Sequence, residues 1–419
     1  VNDAAQKPIP PGRRLAWLLA GLAMFGPFSI DTIFPAFAQM GGEFGADKLA
    51  MQQTISVYLI AYALMSIVHG PLSDAIGRRG VILGGLVVFI AASAGCALAP
   101  DLTTLLVFRA LQGLSAGVGL IVGRAVIRDV YQGDDAQRLM SQVMMIFSIA
   151  PAIAPVIGGW ILGWERWPAI FWFLVLFSIA LLLATWAWLP ETHPREARGT
   201  LVPRRLLRDY VAIFTNPRFQ RLAAAGAFNF SALFLFIASA PAFVMDILRL
   251  DERQFGWFFI PMISGMMIGS FVSGRAAGRI TGIRLANIGF ACSGVAIAGN
   301  IVYYLVVAEP AVPWAVLPMV LNAFGIALVF PIITLAILDM YPRQRGSASS
   351  LQAFTGLVLN AIVAGVLSPL VSHHGLPLAL TAAGFLLVGW GFWRWEIRRD
   401  RTRPQCPKAP TGMEPTEHL

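Results

Sequence analysis

Charge is what this chain has least of: only 13% of its 419 residues are Asp, Glu, Lys or Arg, against 57% that are hydrophobic. Soluble globular chains carry about 25% charged residues, so a water-soluble domain is excluded. Cysteine is scarce as well. Cys96, Cys292 and Cys406 are too few and too scattered for a disulfide framework, and free thiols are expected. Five histidines show no metal-ligand spacing, with His373 and His374 together in a turn, so no metal site is expected. No Gly-Lys pair occurs, which removes the P-loop that cradles nucleotide phosphates. A cofactor is not expected, and energy must come from a gradient.

What is present is apolar length. Mean hydropathy is +0.70, and the apolar residues arrive in runs of about twenty, the length that crosses ~30 Å of hydrocarbon. Six runs lie near 15–38, 52–73, 81–99, 103–126, 139–162 and 168–189. Six more lie near 222–245, 254–274, 285–307, 313–338, 347–371 and 376–393. Each is expected to be a continuous helix, because backbone groups in lipid must pair within their own segment. Arg13, Arg14 and Ala36-Phe37-Ala38 loosely imitate a signal peptide and its cleavage site. That run is too long and contains Asp31, so it reads as the first span. Val1 points to a trimmed or non-standard start.

The net charge of +9 follows topology, not nucleic-acid binding. With the N-terminus cytoplasmic, the loops on that side hold 25 of the 31 Lys and Arg. The other side holds Lys48, Arg166, Arg249 and Arg253, while Arg109 and Arg124 lie inside the fourth span. This positive-inside bias puts both termini in the cytoplasm.

The longest connection, 190–221, is rich in arginine and begins Pro190-Glu191-Thr192. The chain therefore divides into an N-terminal six-helix bundle (1–189), a cytoplasmic linker (190–221), a C-terminal six-helix bundle (222–395) and a cytoplasmic tail (396–419). A faint repeat supports the division. Pro35-Ala36-Phe37 recurs as Pro241-Ala242-Phe243, and Gly77-Arg78 as Gly278-Arg279. Repeated halves around a central site are a common transporter plan.

Asp31 is the only acidic residue inside any span, where a carboxylate costs several kcal/mol unless it is paired or protonated. Arg109 sits at matching depth, ~10 Å below the outer boundary, so an Asp31–Arg109 pair, direct or through water, is expected. Burial disfavours the carboxylate and a nearby cation favours it, so movement between environments could load and release a proton. A static pair that locks two helices together is the other reading.

The strongest local signal is Gly70-Pro71-Leu72-Ser73-Asp74-Ala75-Ile76-Gly77-Arg78-Arg79, between the second and third spans. Its glycines permit a tight turn, and Arg78 and Arg79 can pair with a carboxylate such as Asp129. This run resembles motif A of the major facilitator superfamily. Leu105, Arg109, Gln112 and Gly113 match that family's motif B. Ala150-Pro151-Ala152-Ile153-Ala154-Pro155-Val156-Ile157-Gly158-Gly159 resembles motif C, which marks its antiporters. Ala154-Pro155 in place of Gly-Pro resembles the Bcr/CflA (bicyclomycin/chloramphenicol resistance) branch. So do Ser29-Ile30-Asp31-Thr32-Ile33-Phe34-Pro35 and Arg124-Ala125-Val126-Ile127-Arg128-Asp129.

The resemblance implies an all-α integral membrane fold of twelve helices in two pseudo-symmetric bundles. It also implies a proton-coupled exporter of small amphiphilic compounds in a bacterial inner membrane. Asp31 and Arg109 would couple protons, with the role of Arg109 carried by the motif match. Gly70, Asp74, Gly77, Arg78, Arg79 and Asp129 would govern conformation. Pro151, Pro155, Gly158 and Gly159 would form a hinge or seal between the halves. Phe34, Tyr58, Gln112, Asn229, Phe230 and Phe236 are candidates for an apolar, aromatic substrate cavity. A proton-linked metabolite transporter on the same fold is the alternative. Gly113-Leu114-Ser115-Ala116-Gly117 formally matches a hydrolase nucleophile elbow but lies within an apolar span, so no enzyme is expected. A monomer is expected.

Overall fold

The computed structural model describes residues 13–130, 133–194, 196, 198, 203–276, 279–341 and 344–401. Among these residues the regular structure is entirely helical. Eleven helical stretches are long and apolar enough to cross a bilayer. A twelfth crossing is the 30-residue α7 (Gly133–Leu162), whose 149–162 segment is apolar.

The first half runs α1 (Arg13–Asp31), α2 (Phe37–Phe44), α3 (Lys48–Ile76), α4 (Arg78–Ala97), α5 (Leu102–Ala116), α6 (Val118–Val130), α7 and α8 (Pro168–Trp188). A short helix, α9 (Pro203–Phe214), precedes the second half. That half runs α10 (Pro217–Ala238), α11 (Gly256–Ala276), α12 (Gly282–Val306), α13 (Leu317–Met340), α14 (Arg345–Ile362), α15 (Ser368–Val371) and α16 (Gly375–Arg401). The densest packing lies within the halves, α3 on α5 and α4 on α8 in the first, and α12 on α13, α10 on α16 and α11 on α13 in the second. The halves meet where α3 packs on α14 and α7 on α11.

Four crossings are not the continuous helices expected of the runs. The first stops at Asp31, turns through a 3-10 helix (Phe34–Ala36) and resumes as α2. Pro35 has no N–H to bond the Asp31 carbonyl, and the Thr32 N–H and hydroxyl both donate back to the Phe28 carbonyl. The seventh breaks at the matching place, where Pro241 precedes a π-helical stretch (Ala242–Ile247). The eleventh passes through another π-helical stretch (Val363–Leu367). In the fourth, α5 gives way to α6 at Gly117, where a Cβ would crowd the Tyr62 ring and His69. Such breaks are tolerated at membrane depth where neighbouring helices re-pair the freed groups.

The Pro-Ala-Phe repeat thus marks the same kind of break in both halves. Gly278, the Cys406 thiol and the tail from 402 onward lie outside the described residues.

Candidate functional site

Arg109 is wholly buried in the first half. Its Nε donates to the Thr54 carbonyl at 3.1 Å. Its Nη1 donates to the Ser29 carbonyl at 3.0 Å, the Ser29 hydroxyl at 3.2 Å and Gln112 Oε1 at 2.7 Å. The guanidinium also lies 4.4 Å from the centre of the Tyr58 ring, a cation–π contact. Gln112 in turn donates to the Ser93 hydroxyl at 2.7 Å, and the Tyr58 hydroxyl donates to the Gly26 carbonyl at 3.1 Å. Local sequence explains the acceptor. Ser29 lies in the last turn of α1, whose carbonyls lack intrahelical donors, so the break at Asp31 frees a carbonyl for Arg109.

Of the expected Asp31–Arg109 pair, the direct form is not made. Asp31 is only 4% exposed, and among the described residues its carboxyl makes no ion pair or hydrogen bond. Depth matching fixes height along the bundle but not the direction in which a side chain leaves its helix. Arg109 turns toward Ser29 and Thr54 and makes no contact with Asp31.

The turn between α3 and α4 is a charge knot. Gly77 has φ +104°, a conformation that L side chains rarely adopt, and it ends α3 and starts α4. Arg78 pairs with Asp129 of α6 at 3.0 Å and with Asp74 one turn back, and it donates to the Ser73 hydroxyl at 2.6 Å. Arg79 donates to the Trp186 carbonyl at 2.7 Å. Gly70 is half-buried one turn before Asp74. Sequence reading treated Pro190-Glu191-Thr192 as the start of a linker, but it belongs to this knot. Glu191 Oε1 accepts the Arg78 backbone N–H at 2.9 Å, a carboxylate at a helix N-terminus, and Thr192 donates to Asp129 at 3.2 Å.

Motif C lies along α7, with Pro151 and Pro155 inside the helix. Its two glycines face different neighbours. A Cβ at Gly158 would collide with the Thr32 carbonyl, next to Asp31. One at Gly159 would collide with the Glu252 carbonyl in the second half.

Contacts between the halves gather on the same side, the face opposite the termini. Gln52 donates to the Ala238 carbonyl at 2.8 Å, Gln53 to Gly365 at 2.9 Å and Ser56 to Ala361 at 2.9 Å. Arg253 donates to the Gly163 carbonyl at 3.0 Å, and Lys48 pairs with Asp246. Phe34 stacks on Phe259 of α11, 6.2 Å between ring centres. The seam is therefore closed at that face. The polar residues of α3 that close it carried no motif signal; only their position at the start of the second run could have drawn notice.

The cavity candidates disperse. Phe34 belongs to the seam, and Tyr58 and Gln112 to the Arg109 network. Gln112 is fully buried, with both ends of its amide engaged within the network. Asn229 is buried with an unpartnered Oδ1. Phe230 is half-buried and stacked on Phe234, while Phe236 is buried edge-on against Phe243. A separate apolar groove of about 370 Å³ lies between α11, α12 and α13, lined by Gly265, Val295, Gly299 and Leu321 among others. It holds none of these residues.

Twelve crossings in two halves, a buried cation and carboxyl in the first half and a seam closed at one face define a multi-pass transporter rather than an enzyme. The chain belongs to the Major Facilitator Superfamily, whose family model matches residues 17–365. Among curated relatives, the uncharacterized MFS-type transporter YdgK of Bacillus subtilis is 30% identical, over 85% of this chain and 88% of its own. Multidrug resistance protein D of Escherichia coli is 26% identical, over 89% and 94%. The bicyclomycin resistance protein homolog of Haemophilus influenzae is 23% identical, over 88% and 92%, in keeping with the Bcr/CflA branch. Among solved structures, a D-xylose–proton symporter superposes with a TM-score of 0.73 at 13% identity, covering 91% of this chain and 97% of that one. Members of this superfamily normally need no cofactor.

Proposed function

We propose that this chain exports small amphiphilic drug-like molecules in exchange for protons, working as a monomer in a bacterial inner membrane with both termini in the cytoplasm. The observation that carries the reading is Asp31, a buried carboxyl without an ion-pair partner at the break in the first crossing. An unpaired buried carboxylate is expensive, so in the state closed at the outer face Asp31 is read as carrying its proton. The substrate class is supported by the names of two relatives, a multidrug and a bicyclomycin resistance protein. The direction of transport is supported by the motif C glycines.

The cycle follows from these parts. Gly158 sits on the carbonyl next to Asp31 and Gly159 on the second half, so rocking of the halves couples the environment of Asp31 to the outer seam. Opening that seam would admit outside water to Asp31 and let it load a proton. Closing it buries the neutral acid, and an entering substrate then displaces the proton toward the cytoplasm. The charge knot at Arg78 would bias the equilibrium between the two states through the linker, because it ties α4 and α6 to Glu191 and Thr192 where the linker begins.

Expression in a pump-deficient bacterial host, scored against a panel of chemically diverse antibiotics, tests the substrate class. Raised resistance to at least one amphiphilic drug is expected. Unchanged resistance across the panel, with the protein present in the membrane, contradicts drug export.

A further inference from the structure

The segment between the halves contains a helix, α9, that this cycle does not use. One stripe of it faces the protein. Ile213 is buried and Leu206 half-buried, and Tyr210, 8% exposed, donates to the Ile67 carbonyl of α3 at 2.8 Å. The helix also packs on α14 of the second half, which carries Ser347 and Ser350 near its start. Burial pushes the Tyr210 phenol up to about 12 against the pull of those two serines, so it remains a donor at physiological pH. The helix α9 therefore touches both halves.

A second stripe faces away. Leu207, Val211 and Phe214, spaced four and three apart, are 64%, 51% and 43% exposed. At about 100° per residue they occupy the sector beside the buried stripe. Arg204 and Arg208, one turn apart and exposed, occupy the next sector round. Buried apolar, exposed apolar and cationic sectors thus follow one another around a single short helix.

The height of α9 identifies what the exposed stripe meets. Ile67 lies nine residues before the end of α3 at Ile76, ~13 Å inside that end. Exposed Trp186 and Trp188 close α8 on the same side, as tryptophans do at the boundary between headgroups and acyl chains. A helix at that level, apolar on its outer flank and cationic along one edge, matches a lipid leaflet of opposite charge.

We propose that α9 is an interfacial helix that docks the linker onto anionic phospholipid. Leu207, Val211 and Phe214 enter the headgroup–acyl boundary, and Arg204 and Arg208 pair with lipid phosphates. The docked helix holds Tyr210 between α3 and α14, so leaflet charge acts on the contact that bridges the halves. This inference rests on the transmembrane fold and is independent of which substrate is carried or whether protons drive it.

Hydrogen–deuterium exchange of the full-length protein in vesicles tests it, comparing pure phosphatidylcholine with a mixture containing phosphatidylglycerol. An anionic surface favours each nearby arginine by about 1 kcal/mol, so exchange across 204–214 should slow roughly tenfold or more in the anionic vesicles. The slowing should vanish in the Arg204→Gln/Arg208→Gln variant while exchange in the crossing helices stays unchanged. Leu207→Ser/Val211→Ser should speed exchange in both lipids. Equal exchange in the two lipids overturns the proposal. So does the same slowing when inorganic phosphate is added in detergent, which marks a free-anion site. Protection in detergent that ignores both variants marks a face covered by protein, and overturns it too.

Discussion

Arg109 gathers groups from α1, α3 and α5 around one buried cation. Arg109→Met keeps the unbranched stem of the side chain but removes its guanidinium, and strands the Ser29 and Thr54 carbonyls and the Gln112 amide. Each stranded buried group costs about 1–3 kcal/mol, so a loss of about 3 kcal/mol or more is expected, read as a lower melting temperature in detergent. Gln112→Leu should show a smaller loss of the same kind. The importance of Asp31 and Arg109 was legible because charge in an apolar run must have a reason. Their relationship was not. Two residues at equal depth can point in different directions, and the acceptor that claims Arg109 is a backbone carbonyl freed by a helix break. No side-chain pattern announces such a carbonyl.

The same contrast holds among the helices. The crossings were legible because lipid forces each span to be long and apolar, and the turn at Gly77 because its motif is dense. The breaks at Pro35 and Pro241 were hidden inside apolar runs that look unbroken by composition. Where α7 meets its neighbours, the small residues of motif C decide how close two elements can come. Gly159→Val would drive a side chain into the Glu252 carbonyl and should hold the halves apart at the face opposite the termini. Spin labels on cysteines at Leu49 and Glu252 should then report a longer distance across that face. Gly84→Val, where a Cβ meets nothing within 4 Å, should leave the distance unchanged. At the other end of the second half, Glu396 pairs with Arg221 and Arg218, each at 2.8 Å, and both Glu396 and Arg221 are buried. Glu396→Gln leaves buried cations without their anion and should lower stability by about 3–5 kcal/mol in thermal or denaturant unfolding.

Across the whole molecule the two halves share a backbone plan but not a chemistry. Both break their first crossing at Pro-Ala-Phe, yet the second half has Ile237 where the first has Asp31. In the proposed cycle proton handling would belong to the first half, and the second half would be the wall against which α7 and α3 close. Asparagine at position 31 has nearly the size and polarity of the protonated acid, so an Asp31→Asn protein should fold and still meet substrate. It cannot give up a proton. The direct measurement is proton flux in inverted membrane vesicles whose lumen has been acidified by respiration, followed with a lumenal pH dye as a drug identified by the resistance screen is added. The wild-type protein should raise lumenal pH on drug addition and accumulate drug against its gradient, and Asp31→Asn should do neither. Proton-coupled accumulation that survives in the Asp31→Asn protein would contradict the account.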